Sequence, residues 1–166
     1  RAFGFERLAG FDARVWNDVR EAALARRMPP RKLAIFASDR YGEEVKKARV
    51  NLEAAGLAPC VELKQADILD SSAPARSGVL VANPPYGARL GEDRELAEFY
   101  PKLGDTLKKY YAGWRCYLFS GDPRLPRLIR LTASRRTPLY NGPLECRLYE
   151  YRIVAGSMRK PRAGAP

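Results

Sequence analysis

Residues 79–86 read Val-Leu-Val-Ala-Asn-Pro-Pro-Tyr, an apolar run that stops at a rigid polar turn. The four apolar residues predict a strand buried on both faces, as in a parallel sheet. Proline fixes φ, and the residue before a proline is driven toward extended backbone, so Asn83, Pro84 and Pro85 have little conformational freedom. In open α/β sheets, ligands bind outside the carboxyl ends of the strands. The stretch therefore indicates an α/β fold with a site at this turn.

The turn also indicates a chemistry. The side-chain carbonyl of Asn83 and the backbone carbonyl of Pro84 are two acceptors that suit the two hydrogens of an exocyclic nucleobase amine. Acceptors so placed draw the amine lone pair out of the ring and toward an electrophile, as methyl transfer requires. Tyr86 offers a flat face on which a flipped base can stack. The plain alternative is a turn chosen only for its geometry, since Asn-Pro is common in turns.

Around this stretch, hydrophobic periodicity predicts strands that alternate with helices and hence an α/β, mostly parallel sheet. The last two strands are joined by Asn141-Gly142-Pro143 without a helix, which predicts an antiparallel hairpin. Residues 155–166 are small, basic and rich in proline and glycine, so they are predicted to be a linker or a disordered tail. The predicted strands are 33–38, 61–66, 79–82, 114–119, 134–140 and 146–154, and the predicted helices are 11–27, 43–55, 92–111 and 124–131.

Acidic side chains follow the first two predicted strands. Asp39 and Asp67 would reach the same sheet edge as Asn83 if the three strands are parallel. At that edge one carboxylate can bind the two hydroxyls of a ribose and another can accept from an adenine amine. An aspartate after a strand is often only a turn former or helix cap. Three such residues in succession favour a nucleotide site.

The charge balance indicates an anionic partner. The 166 residues carry a net charge of +11 and a pI of about 9.9, which suggests nucleic acid first and a membrane surface second. Arg124, Arg127 and Arg130 recur at helical spacing and are either a phosphate-contacting stripe or a solvated face. No apolar run approaches the roughly 18 residues of a membrane span.

Histidine is absent, and the three cysteines have no metal-ligand spacing. Histidine bases, Ser/His/Asp triads and most zinc sites are thereby excluded, and no metal is expected. An odd number of cysteines argues against a disulfide framework. A reducing compartment, and hence the cytoplasm, is expected.

Taken together, these motifs resemble the bacterial 23S rRNA guanine-N2 methyltransferases of the RlmL type and the methyltransferase half of the fused RlmKL enzymes. The resemblance covers residues 1 to about 154, and its early Phe-Gly-Phe and late Asn-Gly-Pro-Leu-Glu-Cys segments are more specific than the central turn alone. The segments that carry it are residues 3–5, Asp12, Trp16, 38–39, 48–56, Asp67, 83–90, 113–119 and 141–146.

The resemblance implies a class I, Rossmann-like fold that uses S-adenosylmethionine and acts on 23S rRNA. It implies that Asp39 binds the cofactor ribose and that Asp67 binds its adenine amine. Asn83, which also borders the cofactor, and Pro84 would hold the guanine amine. Pro85 would keep the turn rigid, and Tyr86 would stack on the base. Arg89 is expected to contact RNA together with Arg124, Arg127 and Arg130.

One departure from the family shapes the expected fold. The first strand and glycine-rich loop of the family do not occur in this sequence, so residues 1–154 are expected to be a partial methyltransferase domain, inactive alone. The absent strand would lie between 33–38 and 79–82. Those strands should therefore be separated by a gap, pair directly, or enclose another strand such as one formed by residues 2–8.

Several readings stay open at this point. A THUMP-type tRNA guanine-N2 methyltransferase or a DNA adenine-N6 methyltransferase would share the Asn-Pro-Pro-Tyr turn. A non-catalytic RNA-binding module would share the basic surface, and a truncated gene product would have no function of its own. The sequence does not indicate an oligomeric state.

Overall fold

The computed structural model describes residues 2–85 and 92–155, and for residues 92–94 it describes the backbone alone. Within these ranges all ten predicted helices and strands are present. Their ends differ from the predicted ones by at most three residues. Tyr86, Arg89 and residues 156–166 of the basic tail lie outside the described residues.

The elements follow one another in mostly alternating order. Short 3-10 turns lie at Gly4–Arg7, Ala58–Cys60 and Ile68–Asp70. The helices are α1 (Ala13–Ala25), α2 (Gly42–Ala54), α3 (Glu92–Tyr110) and α4 (Leu125–Leu128). The strands are β1 (Ile35–Asp39), β2 (Val61–Gln65), β3 (Gly78–Ala82), β4 (Trp114–Ser120), β5 (Arg135–Asn141) and β6 (Leu144–Arg152).

The first two strand pairs are parallel, and β6 runs antiparallel to both of its neighbours. β1 pairs with β2 and β3 pairs with β4 in parallel, whereas β6 pairs antiparallel with both β4 and β5. Gly142 has a φ of 59° in the tight β5–β6 connection. Glycine adopts this left-handed conformation without steric cost, which explains why the Asn-Gly-Pro sequence forms the hairpin. The predicted α/β class and the antiparallel final strand are confirmed.

The expectation of one continuous sheet is wrong for the described residues. The strands form a two-stranded sheet, β1-β2, and a four-stranded sheet of order β3-β4-β6-β5. β1 and β3 do not pair with each other, and the segment 4–7 is a 3-10 turn rather than a strand between them. The physical consequence is visible on both strands: Ile35 and Phe36 are each 46% exposed, and Val81 is 71% exposed.

The core lies between α3 and the four-stranded sheet. Leu96, Tyr100, Leu103 and Leu107 recur at helical spacing on one face of α3 and are almost fully buried. They pack with alternate residues of β4 and β6, whose inward side chains follow the two-residue period of a strand. α3 runs without a break through Pro101 and Gly104.

The two-stranded sheet is bound to this core through the segment after β2. Asp67 caps the turn Ile68–Asp70 by accepting a hydrogen bond from the Leu69 amide (2.9 Å). Ile68 and Leu69 pack against the core, and the Thr106 hydroxyl on α3 donates to the Leu69 carbonyl at 3.2 Å. α3 therefore positions the carboxyl end of β2.

The N-terminal helix contributes little to this core. Asp12 caps α1 by accepting from the Arg14 amide at 2.8 Å. The apolar side chains of α1 are nevertheless open to solvent, with Val15 59% and Val19 57% exposed. Trp16 packs edge-on against two phenylalanine rings near the N-terminus.

Gly104 offers a test of how closely α3 and α4 approach. A Cβ at this position would collide with the backbone carbonyl of Ile129, which directly follows α4. Gly104→Ala should gain about 0.5–1 kcal/mol of helix stability but lose about 1–3 kcal/mol to overpacking. We expect a net fall in the melting temperature. Gly4→Ala is the control, since a Cβ there meets nothing within 4 Å. Equal melting temperatures for both variants would contradict this packing.

Candidate functional site

Asp39 and Asp67 lie side by side at the carboxyl ends of β1 and β2. The two strands are in parallel register up to Asp39 and Gln65, and the Asp39 carbonyl accepts from the Ala66 amide at 3.0 Å. Both aspartates are half-buried. The predicted pair of strand-end acids is therefore present on one sheet edge.

One oxygen of each carboxylate accepts a hydrogen bond from a backbone amide two residues later in the chain. Oδ1 of Asp39 accepts from the Tyr41 amide (2.8 Å), and Oδ1 of Asp67 accepts from the Leu69 amide (2.9 Å). Oδ2 of Asp67 lies 3.8 Å from Nε of Arg40, a guanidinium that is mostly exposed. A carboxylate oxygen can accept more than one hydrogen bond. The pair thus has both the local bonds that orient it and the acceptor capacity that a ribose diol and an amine need.

The Asn-Pro-Pro turn follows β3 with its polar end outward. Asn83 is exposed, the Pro84 ring is buried and Pro85 is exposed. The buried ring fastens the turn, while the Asn83 side chain is left at the surface. Asn83 is therefore not packed into the core.

The fully buried Tyr100 of α3 supports the turn directly. Its hydroxyl donates a hydrogen bond to the Pro85 carbonyl at 3.0 Å. Thr106, six positions along the same helix, holds the segment that follows Asp67. Six residues span about 9 Å of an α-helix. One helix therefore anchors both the segment after Asp67 and the Asn83 turn within a short distance of each other.

A polar network behind the turn was not predicted. The buried Ser120 hydroxyl hydrogen-bonds Tyr100, and its oxygen accepts from the Asp122 amide at 3.0 Å. Asp122 is 7% exposed and bonds Arg124 through both carboxylate oxygens, at 3.0 Å from Nε and 3.0 Å from Nη2. The available signal was the Ser-Gly-Asp-Pro sequence at the end of β4, a further acid after a strand.

The charges of this network are balanced. Burial alone would raise the pKa of Asp122, but the hydrogen bonds and the charge of Arg124 outweigh burial and hold that pKa below its ordinary value. Burial raises the pKa of Tyr100 to about 12, although the Ser120 hydrogen bond opposes it. Asp122 is accordingly an anion and Tyr100 a neutral hydrogen-bond donor at neutral pH.

The expected arginine stripe is rearranged. α4 covers only Leu125–Leu128, and Arg130 lies beyond it with a φ of 56°. Arg124 precedes the helix and is paired with Asp122. The three arginines therefore do not share one helix face as predicted. Arg127 and Arg130 are exposed and available to a partner.

A small cleft of about 220 Å³ opens beside the network, between the end of β4 and the start of β6. Because β3 and β4 are parallel neighbours, this cleft opens at the same sheet edge as the Asn-Pro-Pro turn. It is lined by Ser120, Gly121, Pro123, Glu145, Cys146, Arg147 and Tyr149.

The described residues form neither a metal-ligand cluster nor a membrane-spanning helix. Within 2–85 and 92–155, histidine, cysteine and acidic side chains form no group of three that could hold a metal ion. Over the same part of the chain, none of the helices has the combination of length and apolarity that crossing a bilayer requires.

Acids after the first two strands, an Asn-Pro-Pro turn after the third and an antiparallel hairpin at the end agree with the class I methyltransferase fold that the resemblance implied. The chain belongs to the family described as RMKL-like, methyltransferase domain, which matches residues 2–150. It is 38% identical over 161 residues to the ribosomal RNA large subunit methyltransferase K/L of Shewanella baltica (strain OS185). That match covers 95% of this chain and 23% of the relative, so the chain spans about a quarter of the relative's length.

Solved structures give the same fold. SMU.472, complexed with SAH, superposes with a TM-score of 0.78 at 30% identity over 95% of this chain and 41% of that chain. A predicted N6-adenine-specific DNA methylase from Listeria monocytogenes str. 4b F2365 superposes with a TM-score of 0.74 at 26% identity, over 92% of this chain and 39% of that one. The class I fold predicted from the sequence is confirmed.

The Asp122–Arg124 pair can be tested by its effect on stability. Arg124→Gln leaves the buried carboxylate without its cation, and losing hydrogen bonds to a charged group costs about 1.5–3 kcal/mol. Urea denaturation should show this loss. Arg127→Gln is the control, because Arg127 is exposed in the same segment and should change stability by less than about 0.5 kcal/mol. Equal effects in the two variants would show that the pair does not stabilise the loop after β4.

Proposed function

We propose that this domain transfers a methyl group from S-adenosylmethionine to the exocyclic N2 amine of a guanine in 23S rRNA. The observation that carries the proposal is the Asn83–Pro85 turn: its amide side chain is exposed at the end of β3, while its backbone is fastened by a buried proline and by Tyr100. The family and the ribosomal RNA methyltransferase of Shewanella baltica support the substrate class.

The strand-end acids are suited to hold the cofactor. Asp39 would accept hydrogen bonds from the ribose hydroxyls, and Asp67 would accept from the adenine amine. Both carboxylates are half-buried and already oriented by local amide bonds. SAH, which is bound to the similar SMU.472, is S-adenosylmethionine without its methyl group, so the same two acceptors would serve before and after transfer. The methyl group itself would come from bound S-adenosylmethionine.

The turn is suited to hold the acceptor amine. Asn83 and the Pro84 carbonyl would each accept one amine hydrogen, which directs the nitrogen lone pair outward. The amine becomes acidic as it gains a methyl group, so its proton can be lost without a strong general base. The absence of histidine from the sequence agrees with this chemistry. Tyr86, outside the described residues, would stack on the base.

The residues around the site would guide RNA to it. Arg127 and Arg130 are exposed next to the network behind the turn, and the whole chain carries a net charge of +11. Arg124 would act through its pair with Asp122. Arg89, outside the described residues, is proposed to contact RNA as well. Cys60, Cys116 and Cys146 are free thiols, which supports a cytoplasmic setting.

Adenine N6 is the second candidate acceptor. The structural similarity to the Listeria protein, described as a predicted N6-adenine-specific DNA methylase, favours it. Guanine N2 and adenine N6 are both exocyclic amines, and the two acceptors of the turn fit either.

Nucleoside analysis separates these candidates. The full-length protein is incubated with S-adenosylmethionine carrying a labelled methyl group and with 23S rRNA, tRNA or duplex DNA, and the products are digested to nucleosides. Label in N2-methylguanosine from 23S rRNA is the expected result. Label in N6-methyladenosine would replace the guanine assignment, and transfer to none of the substrates would refute the proposed function.

Asn83 tests the role of the turn. In the full-length protein, Asn83→Ala removes one acceptor of the amine, an interaction that strengthens as positive charge develops in the transition state. Turnover should fall by about 10²–10³, the usual effect of losing one such electrostatic contact. Asn17→Ala is the control, because Asn17 is exposed on α1. Wild-type turnover in Asn83→Ala would exclude this role.

The two exposed arginines can be tested by salt dependence. When the logarithm of the affinity of the full-length protein for RNA is plotted against the logarithm of the salt concentration, each phosphate contact contributes about 0.7–0.9 to the slope. Neutralising Arg127 and Arg130 together should therefore flatten the slope by about 1.5. The control removes the same charge from α2, by Lys46→Gln and Lys47→Gln, where each lysine is paired with a glutamate. An equal slope change in both double variants would indicate a general charge effect instead of contacts at these arginines.

A further inference from the structure

Tyr100 uses its hydroxyl in an unusual way for a core residue. Its side chain is fully buried on the inner face of α3, among apolar neighbours. Hydrogen bonding offsets the cost of burying a phenol hydroxyl, and the Tyr100 hydroxyl donates to the Pro85 carbonyl, 3.0 Å away and 15 residues earlier in the chain. The bond therefore connects the core helix to the turn that carries Asn83.

The hydrogen bond from Tyr100 restrains a backbone rotation of the turn that the two proline rings do not restrain. The rings of Pro84 and Pro85 fix φ at both positions, and Pro85 also restricts ψ of Pro84, but neither ring sets ψ of Pro85. Burial of the Pro84 ring holds the first proline in place. The Pro85 carbonyl rotates with ψ of Pro85, so a hydrogen bond to that oxygen restrains the remaining rotation. Two prolines and one phenol together define a single backbone path.

Tyr100 is itself oriented from behind. The buried Ser120 hydroxyl hydrogen-bonds the phenol, and Ser120 is in turn bonded by the Asp122 amide at 3.0 Å. Because burial raises the pKa of Tyr100 to about 12, the phenol keeps its proton and its role as a donor at any pH used in an assay.

Tyr151 provides an internal comparison. It is a tyrosine of β6 that is 1% exposed, yet among the described residues its hydroxyl has no hydrogen-bond partner. Burial of a tyrosine in this core therefore does not by itself place the hydroxyl on a partner. The bond between Tyr100 and Pro85 therefore depends on where the turn lies and does not follow from burial of the ring alone.

We propose that Tyr100 is a positioning residue for methyl transfer: its hydroxyl fixes the Pro85 carbonyl and thereby the direction in which the Asn83 and Pro84 acceptors face. The role rests on the proposed function of the turn. Tyr100 does not touch the substrate, so its removal should misplace the acceptor amine without removing a substrate contact.

Paired substitutions in the full-length protein test the role. Tyr100→Phe removes only the hydroxyl, and Tyr151→Phe removes a hydroxyl that is equally buried but unbonded. For Tyr100→Phe we expect kcat to fall by about 10- to 100-fold, the scale of a small misplacement of reacting groups. KM for RNA should stay within about twofold, because the lost contact acts mainly in the transition state. For Tyr151→Phe we expect wild-type kcat.

The contrary outcomes are equally defined. Equal kcat in the two variants, or a Tyr100→Phe effect confined to KM, would overturn the positioning role while leaving the proposed function intact. Loss of cooperative unfolding in Tyr100→Phe would assign the hydroxyl to core stability and would also overturn it.

A second readout does not need activity. Asn83 is the only residue of 83–85 with a backbone amide hydrogen, and relaxation dispersion of that amide group reports μs–ms motion of the turn. Dispersion in Tyr100→Phe, but not in Tyr151→Phe, is expected even if the wild-type protein methylates none of the tested nucleic acids. The same relaxation behaviour in both variants would overturn the positioning role independently of the proposed function.

Discussion

The packing of α3 against the four-stranded sheet is the constraint on which the rest of the structure depends. Its buried face contributes Leu96, Leu103 and Leu107, and burying each such side chain stabilises the fold by about 1.5–3 kcal/mol. The same helix bonds the loop after β2 through Thr106 and the turn after β3 through Tyr100. Apolar burial thus fixes where the helix lies, and the polar groups of the helix then fix where the two site loops lie.

The Asn83 turn and the strand-end acids are therefore held in place by different amounts of buried apolar contact. The Asn83 turn rests on the main core, whereas Asp39 belongs to a two-stranded sheet whose surroundings bury few apolar side chains, among them Val45 and Cys60. Local stability follows the density of buried apolar contacts. The Asn83 turn is therefore held by the main core, whereas the acids after β1 and β2 are held chiefly by short-range amide bonds and by the Thr106 contact.

Much of the fold and part of the site could be predicted because they depend on local rules. Apolar runs that end in Asp39, Asp67 and Asn83 identified three strand ends, and parallel pairing then placed the two acids together. The prediction failed where long-range structure decides. A single sheet of all six strands was predicted, although the absent strand left a gap between 33–38 and 79–82 as one alternative, and β1 and β3 do not pair.

The arrangement of the arginines and the hydrogen bond that supports the turn also depend on contacts that local sequence patterns do not show. Arginines at helical spacing suggested a helix from 124 to 131, but helical spacing cannot show that Arg130 adopts a left-handed conformation and that Arg124 is held by Asp122. Tyr100 fell at a core position of α3, where periodicity accounts for the ring and is silent on the hydroxyl. A hydrogen bond across 15 residues leaves no periodic signal.

The protonation states of the supporting groups explain how a site without histidine can work by orientation alone. The acceptors proposed for the amine are amide carbonyls, which do not titrate. The pKa of Asp122 lies below its ordinary 3.8, so the stability from its pairing with Arg124 is present above that pH and is lost only as the pH falls through the lowered pKa. The pKa of Tyr100 is raised from 10.0 to about 12, so its contribution is complete below pH 10.0 and is lost as the pH rises toward 12. Between these limits the turn and its supports keep one set of charges, and the geometry that α3 imposes on Asn83 does not change with pH.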